Sequence, residues 1–258
     1  MILVDQTNHP VNFGQKPLRI ISLVPSQTEL LYYLGLEKMV VGITKFCVHP
    51  TSWFKLKTRV GGTKNVNIEK IKALAPTHII ANKEENTKAQ IELLRQSFEV
   101  YTSDINSLDD SYQMMRDVGL LTSTKNKVET LIESLSSSFK KLPKLNGTVL
   151  YLIWNDPYMS AGCNTFINSM LILIGLQNAD VSNLRYNEIS KEKIIEIAPD
   201  YIFLSSEPFP FKNKHIQIVE KFSDAKTILV DGEMFSWYGS RLLSFKSYIE
   251  NDLLLKLD

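Results

Sequence analysis

The chain says the same thing twice, and a repeat of this kind dictates two lobes of one design. In the first half, Ile68-Glu69-Lys70-Ile71-Lys72-Ala73-Leu74-Ala75-Pro76 runs into His78-Ile79-Ile80. In the second, Lys191-Glu192-Lys193-Ile194-Ile195-Glu196-Ile197-Ala198-Pro199 runs into Tyr201-Ile202-Phe203, with Glu, Ile and Ala-Pro at the same positions. Each block reads as a short helix, a proline stop and a strand. The correspondence reaches upstream, where Glu29 to Leu36 closes Leu-Gly-Leu and Ser169 to Leu176 closes Ile-Gly-Leu. Two similar lobes from one chain imply a cleft between them, and a cleft implies a ligand.

A chain of 258 residues accommodates two modest domains. The expected division is an N-terminal lobe over 1–120, a linking helix over 121–143 and a C-terminal lobe over 144–258. Arg19 to Val24 is an apolar run of strand length that breaks at Pro25, and the helix that follows buries Leu30, Leu31 and Leu34 before Gly35. Further alternation of strands and helices predicts an α/β fold with mainly parallel sheets. Lys45 to Gly62, holding Phe46, His49, Pro50 and Trp53, is a loop-rich excursion whose counterpart in the second half is much shorter, so it reads as an insertion, and long irregular segments tend to be functional. From Ser107 to about Lys141 the pattern is helical, with Val128, Leu131, Ile132, Leu135 and Phe139 on one stripe. One long helix is therefore expected to join the lobes, as a strut that permits only modest closure. Thr165 to Leu176 is expected as a helix directly after the strand Val149 to Ile153, and Ser240 to Leu257 as a closing helix.

Several function classes are disfavoured. Net charge is +1 with no basic run, so a nucleic-acid partner is not expected. Cys47 and Cys163 lie one in each half without a Cys-x-x-Cys pair, which predicts reduced thiols and no structural zinc. The longest apolar stretch, Met170 to Leu176, is far short of the roughly 20 residues that span a bilayer. Met1 to Pro10 lacks the basic and apolar regions of a secretory signal, so the chain as written is expected to stay where it is made. No Gly-x-Ser-x-Gly, phosphate loop or His-Glu-x-x-His marks an enzyme, and Gly61-Gly62-Thr63-Lys64 lacks the spaced first Gly of a phosphate loop. With His78 on a strand and His9 and His215 in presumed loops, no bare-metal centre is expected.

The order Arg19-Ile20-Ile21-Ser22-Leu23-Val24-Pro25-Ser26, Val41-Gly42-Ile43, Val60-Gly61-Gly62-Thr63, Asn67-Ile68-Glu69-Lys70-Ile71 and Ala75-Pro76-Thr77-His78-Ile79-Ile80 resembles the helical-backbone metal-receptor family. These are the class III substrate-binding proteins of ABC importers, and the likeness is nearest to the cobalamin-binding branch. It runs from about Arg19 to the C-terminus. The resemblance implies two Rossmann-like lobes joined by one backbone helix. It further implies a monomer, periplasmic or at the cell surface, that takes a metal chelate (corrinoid, haem or ferric siderophore) as ligand, with no covalent cofactor. Glu69 and Glu192 match the family's two carboxylates that dock on the importer's membrane subunits. Each is equally a first-turn acid favoured by the helix dipole. The missing leader keeps open a cytoplasmic sensor or carrier of a similar ligand; an enzyme of cofactor handling is a third and weaker reading.

By the same resemblance, the ligand-facing side of the first lobe is formed by Pro25, Ser26, Gln27, Phe46, His49, Thr63, Lys64 and Asn82. In the second it is formed by Trp154, Tyr186, Phe235, Trp237, Tyr238 and Arg241. A corrinoid or haem-like disc needs aromatic faces and a few placed polar groups. The segment Glu233 to Arg241 concentrates three aromatics, a Glu and an Arg. Gly239 and Ser240 read as a loop and helix start, where a cation is disfavoured, so Arg241 is expected to meet an acidic ligand group. Trp154 ends an apolar strand, where ligands collect in open α/β sheets. Thr63 and Asn82 replace aromatics of the cobalamin branch and reduce the stacking surface. His49 offers one imidazole to a chelated metal.

Overall fold

The computed structural model describes residues 2–14, 17–182 and 184–257. Packing divides the chain into two compact units. Met1–Ile105, Asp109–Ser134 and Tyr238–Arg241 make the first; Asn106–Leu108, Leu135–Trp237 and Leu242–Asp258 make the second.

In the first unit, a hairpin of β1 (Ile2–Val4) and β2 (Pro10–Asn12) precedes the main sheet. The sheet is built from β3 (Ile20–Ser22), α1 (Pro25–Tyr33), β4 (Val40–Ile43), α2 (Thr51–Leu56), β5 (Thr58–Arg59), α3 (Ile68–Ala73), β6 (His78–Asn82), α4 (Lys88–Arg95) and β7 (Glu99–Ser103). Strand order is β5-β4-β3-β6-β7, and every pair is parallel. The chain enters at the middle, winds outward to β5, then returns to β6. Its winding therefore reverses between β3 and β6, which is where open α/β sheets hold ligands. Alternation sets one face: Ile21, Leu23, Ile79 and Ala81 pack with Ile91 and Leu94 of α4. Pro25 opens α1 because the first helical position needs no N–H, and Gly35 closes it at φ 80. The excursion of residues 45–62 is more ordered than its composition suggests. It contains α2 and β5, and Trp53 is fully buried with its ring edge-on to Tyr32 at 5.4 Å.

The expected single helix after Ser107 is a pair, α5 (Leu108–Leu121) and α6 (Lys125–Phe139). Ser123 takes a left-handed φ of 60, and the Thr124 N–H donates to the Gly119 carbonyl at 2.8 Å, which turns the chain. A side chain on Gly119 would meet Val128 at 2.9 Å, so the close approach of the two helices needs glycine there. α6 runs across the division between units at Ser134/Leu135, and α5 touches it at its first residue, Leu108/Asp109. α6 is not the sole crossing, as the sequence had implied, because Tyr238–Arg241 also belongs to the first unit.

The second unit repeats the plan with one change. Its elements are β8 (Thr148–Asn155), β9 (Tyr158–Ala161), α7 (Phe166–Leu173), β10 (Gln177–Asn178), β11 (Tyr186–Glu188), α8 (Lys191–Ile197), β12 (Tyr201–Ser205), α9 (Asn213–Val219), β13 (Lys226–Val230) and α10 (Gly232–Ser236). Strand order is β11-β9-β8-β12-β13, with β10 also on β8. β10, β8, β12 and β13 pair in parallel, whereas β8-β9 and β9-β11 are antiparallel. Where β3 passes directly into α1, β8 first turns back through Asp156-Pro157 into β9, a hairpin that the apolar pattern did not reveal. Leu150, Leu152, Ile202 and Leu204 face Ile194 of α8. The chain ends in a helical run of changing pitch: a 3-10 turn (Ser240–Ser244), α11 (Phe245–Tyr248), a π turn (Ile249–Leu253) and α12 (Leu254–Leu257).

The two repeat blocks match in detail. Asn67 caps α3 by accepting from the Lys70 N–H, and Ser190 caps α8 by accepting from that of Lys193. Ala75 at φ 43 and Ala198 at φ 45 then leave the helices in the same left-handed conformation, ahead of Pro76 and Pro199. Each block delivers a strand beside its unit's first, β6 beside β3 and β12 beside β8. Both cysteines are free, and burial pushes the Cys47 thiol up against hydrogen bonds from Thr28 and Thr44. Among the described residues, no helix is long and apolar enough to cross a membrane.

Candidate ligand-binding site

The carboxyl ends of β3, β6 and β7 carry a connected set of polar side chains in the first unit. Gln27, in the first turn of α1, donates from Nε2 to the Ser103 hydroxyl at 2.6 Å. Asn82, ending β6, donates from Nδ2 to the same hydroxyl at 3.1 Å, and its Oδ1 accepts from the N–H groups of Glu84 at 2.8 Å and Glu85 at 3.0 Å. The Asn82 N–H reaches Asn86 at 2.9 Å, and Asn86 in turn holds the Thr63 carbonyl at 2.9 Å. Tyr238 enters from the far end of the sequence and is buried in this unit, and burial raises its pKa, with Ser26, Ser103 and Gln27 acting against that rise. Thus Ser26, Gln27, Thr63, Asn82 and Tyr238 lie in one unit as a buried floor, with Gln27, Asn82 and the Thr63 carbonyl tied into its hydrogen bonds. Asn82 employs both of its side-chain polar atoms internally, so it supplies order to this end of the sheet rather than a free amide.

Around that floor, Phe46 is half-exposed with the Lys45 ammonium 5.1 Å from its ring, Lys64 is exposed and donates to the Glu84 carbonyl, and Pro25 and His49 are half-buried. No group of three or more His, Cys, Asp or Glu among the described residues is placed to hold a metal ion. Two further histidines are structural. His78 bonds the Asn12 carbonyl at 2.9 Å, tying β2 to β6, and burial lowers its pKa. His215 lies in α9 rather than a loop and accepts from the Lys212 N–H at 2.8 Å.

Arg241 meets an acidic group of the protein itself. Its Nε donates to Glu29 of α1 at 3.0 Å, with the two side chains only 15% and 23% exposed. The cation at the start of a helical run is thereby explained without a ligand, a correction to the sequence reading.

Different chemistry lines the second unit's strand ends. Trp154, near the end of β8, is 40% exposed and rests against Phe209 at 5.7 Å, which continues into Phe211 at 4.8 Å. Glu207, just past β12, accepts from the Trp237 indole N–H at 2.9 Å and the Ser236 hydroxyl at 2.7 Å. Burial pushes its carboxyl up, against those bonds and with the nearby Glu233 adding to the rise. Tyr186 is half-buried in β11 at the sheet edge. Phe235 must be withdrawn from the candidates. It is fully buried, with Tyr151 at 5.4 Å, Phe245 at 5.7 Å and Tyr248 at 6.2 Å, so it is core beneath the C-terminal run.

Sequence reasoning missed Ser103, Glu207, Phe209 and Glu29. The repeat contained a signal for one of them: aligning the Ala-Pro blocks sets Ser205 opposite Asn82 and Glu207 opposite Glu84. The carboxylates Glu69 and Glu192 stand in the first turns of α3 and α8, both exposed. Glu69 pairs with Lys72 at 3.0 Å. Hydrogen bonds from its own N–H and from the Ser190 hydroxyl lower the pKa of Glu192.

The chain is similar to an uncharacterized ABC transporter substrate-binding lipoprotein of Bacillus subtilis, at 29% identity over 212 residues that cover 77% of this chain and 67% of the relative. A vitamin B12-binding protein of Vibrio vulnificus is 28% identical over 198 residues, 72% of this chain and 71% of its own length. Among solved structures, a possible iron-binding, periplasmic solute-binding protein from Staphylococcus epidermidis superposes with a TM-score of 0.76 at 25% identity, over 93% of this chain and 99% of that one. The family model for periplasmic binding proteins matches residues 20–225. The chain belongs to the periplasmic binding protein family, whose members bind substrates for ABC transporters and are not enzymes.

Proposed function

We propose that this protein captures a metal chelate (a corrinoid, haem or ferric siderophore) and delivers it to an ABC importer, working as a monomer in the periplasm or at the cell surface. The observation that carries the reading is the difference in chemistry at two equivalent sheet positions. One offers a rigid hydrogen-bonded floor, the other an exposed indole backed by rings. A wide chelate with an apolar face and a polar rim suits that pairing. Relatives named for vitamin B12 and for iron support the same ligand class. Contact is assigned to the accessible side chains, Pro25, Phe46, His49 and Lys64 in the first unit and Trp154 and Tyr186 in the second, whereas Trp237 is buried against Glu207 and positions that strand end. Within the first unit, Ser26, Gln27, Thr63, Asn82 and Tyr238 form the buried support, and Arg241 braces α1 through Glu29. Binding is non-covalent, with the metal arriving inside the ligand.

Glu69 and Glu192 are assigned to docking on the importer's membrane subunits, supported by their equivalent places in the repeat. The test is titration of intrinsic Trp fluorescence with cyanocobalamin, haemin and a ferric hydroxamate. Trp154 should report and the fully buried Trp53 should not. A saturating change with one ligand, lost in Trp154→Phe, is expected; no response to any of the three would remove the chelate assignment. Fractionation of the expressed protein checks location, and recovery in the cytoplasm would replace the importer by a cytoplasmic carrier role.

A further inference from the structure

The second unit has a cavity at the end of its sheet away from Trp154. It measures about 310 Å3 and is lined by Ile195, Pro199, Asp200, Phe222, Asp224 and Ala225, among others. Asp200 and Ala225 immediately precede β12 and β13, which places the opening at the amino ends of those strands. Ile195 is 53% exposed and follows Glu192 by three residues, so the two share one face of α8. Two carboxylates and no cationic side chain line this cavity. Asp200 is held as an anion by the Thr148 N–H at 2.7 Å and hydroxyl at 2.9 Å. Of the lysines that flank the lining, Lys191 lies with its ammonium 5.6 Å from the Phe222 ring, Lys193 is turned to Glu196 at 2.7 Å, and Lys226 donates to the Leu257 carbonyl. An apolar wall with an acidic rim is complementary to a side chain that is aliphatic along its stem and positive at its tip.

The equivalent face of the first unit lacks this combination. The repeat sets Lys72 where the second unit has Ile195, and Lys72 pairs with Glu69 at 3.0 Å.

We propose that the cavity and Glu192 form one receptor for an arginine or lysine side chain on a loop of the importer's membrane subunit. The stem lies against Ile195 and Phe222, and the charged tip meets Asp200 and Asp224. The second unit therefore makes the stronger of the two docking contacts. The inference rests on the docking reading above and adds the pocket, its occupant and the asymmetry.

Two measurements on the full chain test it. In the first, 15N-labelled protein is titrated with N-acetyl-L-argininamide, with N-acetyl-L-glutaminamide as the neutral control. Saturable amide shifts at Ile195 and Ala225 are expected with the arginine probe and are expected to vanish in Ile195→Lys, which copies the first unit. Shifts absent in the parent protein, or unchanged in the variant, overturn the pocket. In the second, affinity for the importer in proteoliposomes is compared across variants, with chelate affinity as the control for folding. Ile195→Lys should weaken importer binding about tenfold, as Glu192→Gln does, and Lys72→Ile should not weaken it. Should Glu192→Gln weaken binding while Ile195→Lys leaves it unchanged, the pocket is refuted and docking survives. If Glu69→Gln and Glu192→Gln both leave it unchanged, docking itself fails and the inference falls with it.

Discussion

At its switch point the first unit presents amides and hydroxyls, whereas the second presents indole and phenyl rings around a carboxylate. The backbones that carry these groups follow one plan, with matched caps, matched left-handed alanines and a central strand delivered by each repeat block. Duplication thus preserved the frame while the strand-end side chains diverged. The physical reason is that strand interiors are constrained by packing on both faces, and the residues just beyond their carboxyl ends are not.

The core of the second unit is where this comparison can be broken most forcefully. Phe235→Ala should cost about 3–5 kcal/mol in urea unfolding, because the ring is fully buried against four other aromatics. A cost below about 1 kcal/mol would return Phe235 to the ligand candidates. Next in size, Trp154→Ala should lower chelate affinity about tenfold while stability changes little, given its 40% exposure. An unchanged affinity would mean that the aromatic strand end is not the contact surface.

The two units also share a burial effect that pH can read. Glu207 in the second and Asp117 in the first are both pushed up by burial. Such a group binds its proton more tightly folded than unfolded, so its contribution favours folding at low pH. That contribution falls as pH rises from the ordinary value of 4.5 for Glu207 through its raised folded value. Glu207→Gln keeps an acceptor for Trp237 and Ser236, and should flatten this part of the stability profile and stabilise the protein at neutral pH. An unaltered profile would show that solvent reaches the carboxylate. The smallest effect belongs to the surface: Lys72→Ala removes an exposed pair with Glu69 and should shift stability by no more than about 0.5 kcal/mol.

Much of the frame was legible because its signals are local. Apolar runs, the Ala-Pro stops and the glycines after α1 and α7 marked the elements within a few residues. Less visible were the turn at Ser123, which depends on Thr124 reaching back to Gly119, and the β8-β9 hairpin, which an apolar run ending at Ile153 does not announce. Among candidate residues, Ser26, Gln27, Asn82 and Tyr238 could be named from type and place, yet their burial as a floor could not be read. A side chain's free valences depend on neighbours that are distant in sequence, as when Gln27 meets Ser103.

The amino-acid sequence by itself determined that there are two copies of one α/β unit, where their strands end, and which carboxylates correspond. Only the tertiary structure decided that Tyr238 completes the first unit, that Arg241 answers Glu29 across 212 positions of chain, and that Phe235 lies in the core while Trp154 faces out. Periodicity and turn chemistry are encoded over a few neighbouring residues, whereas burial and partnership are settled by which remote segments share the same space.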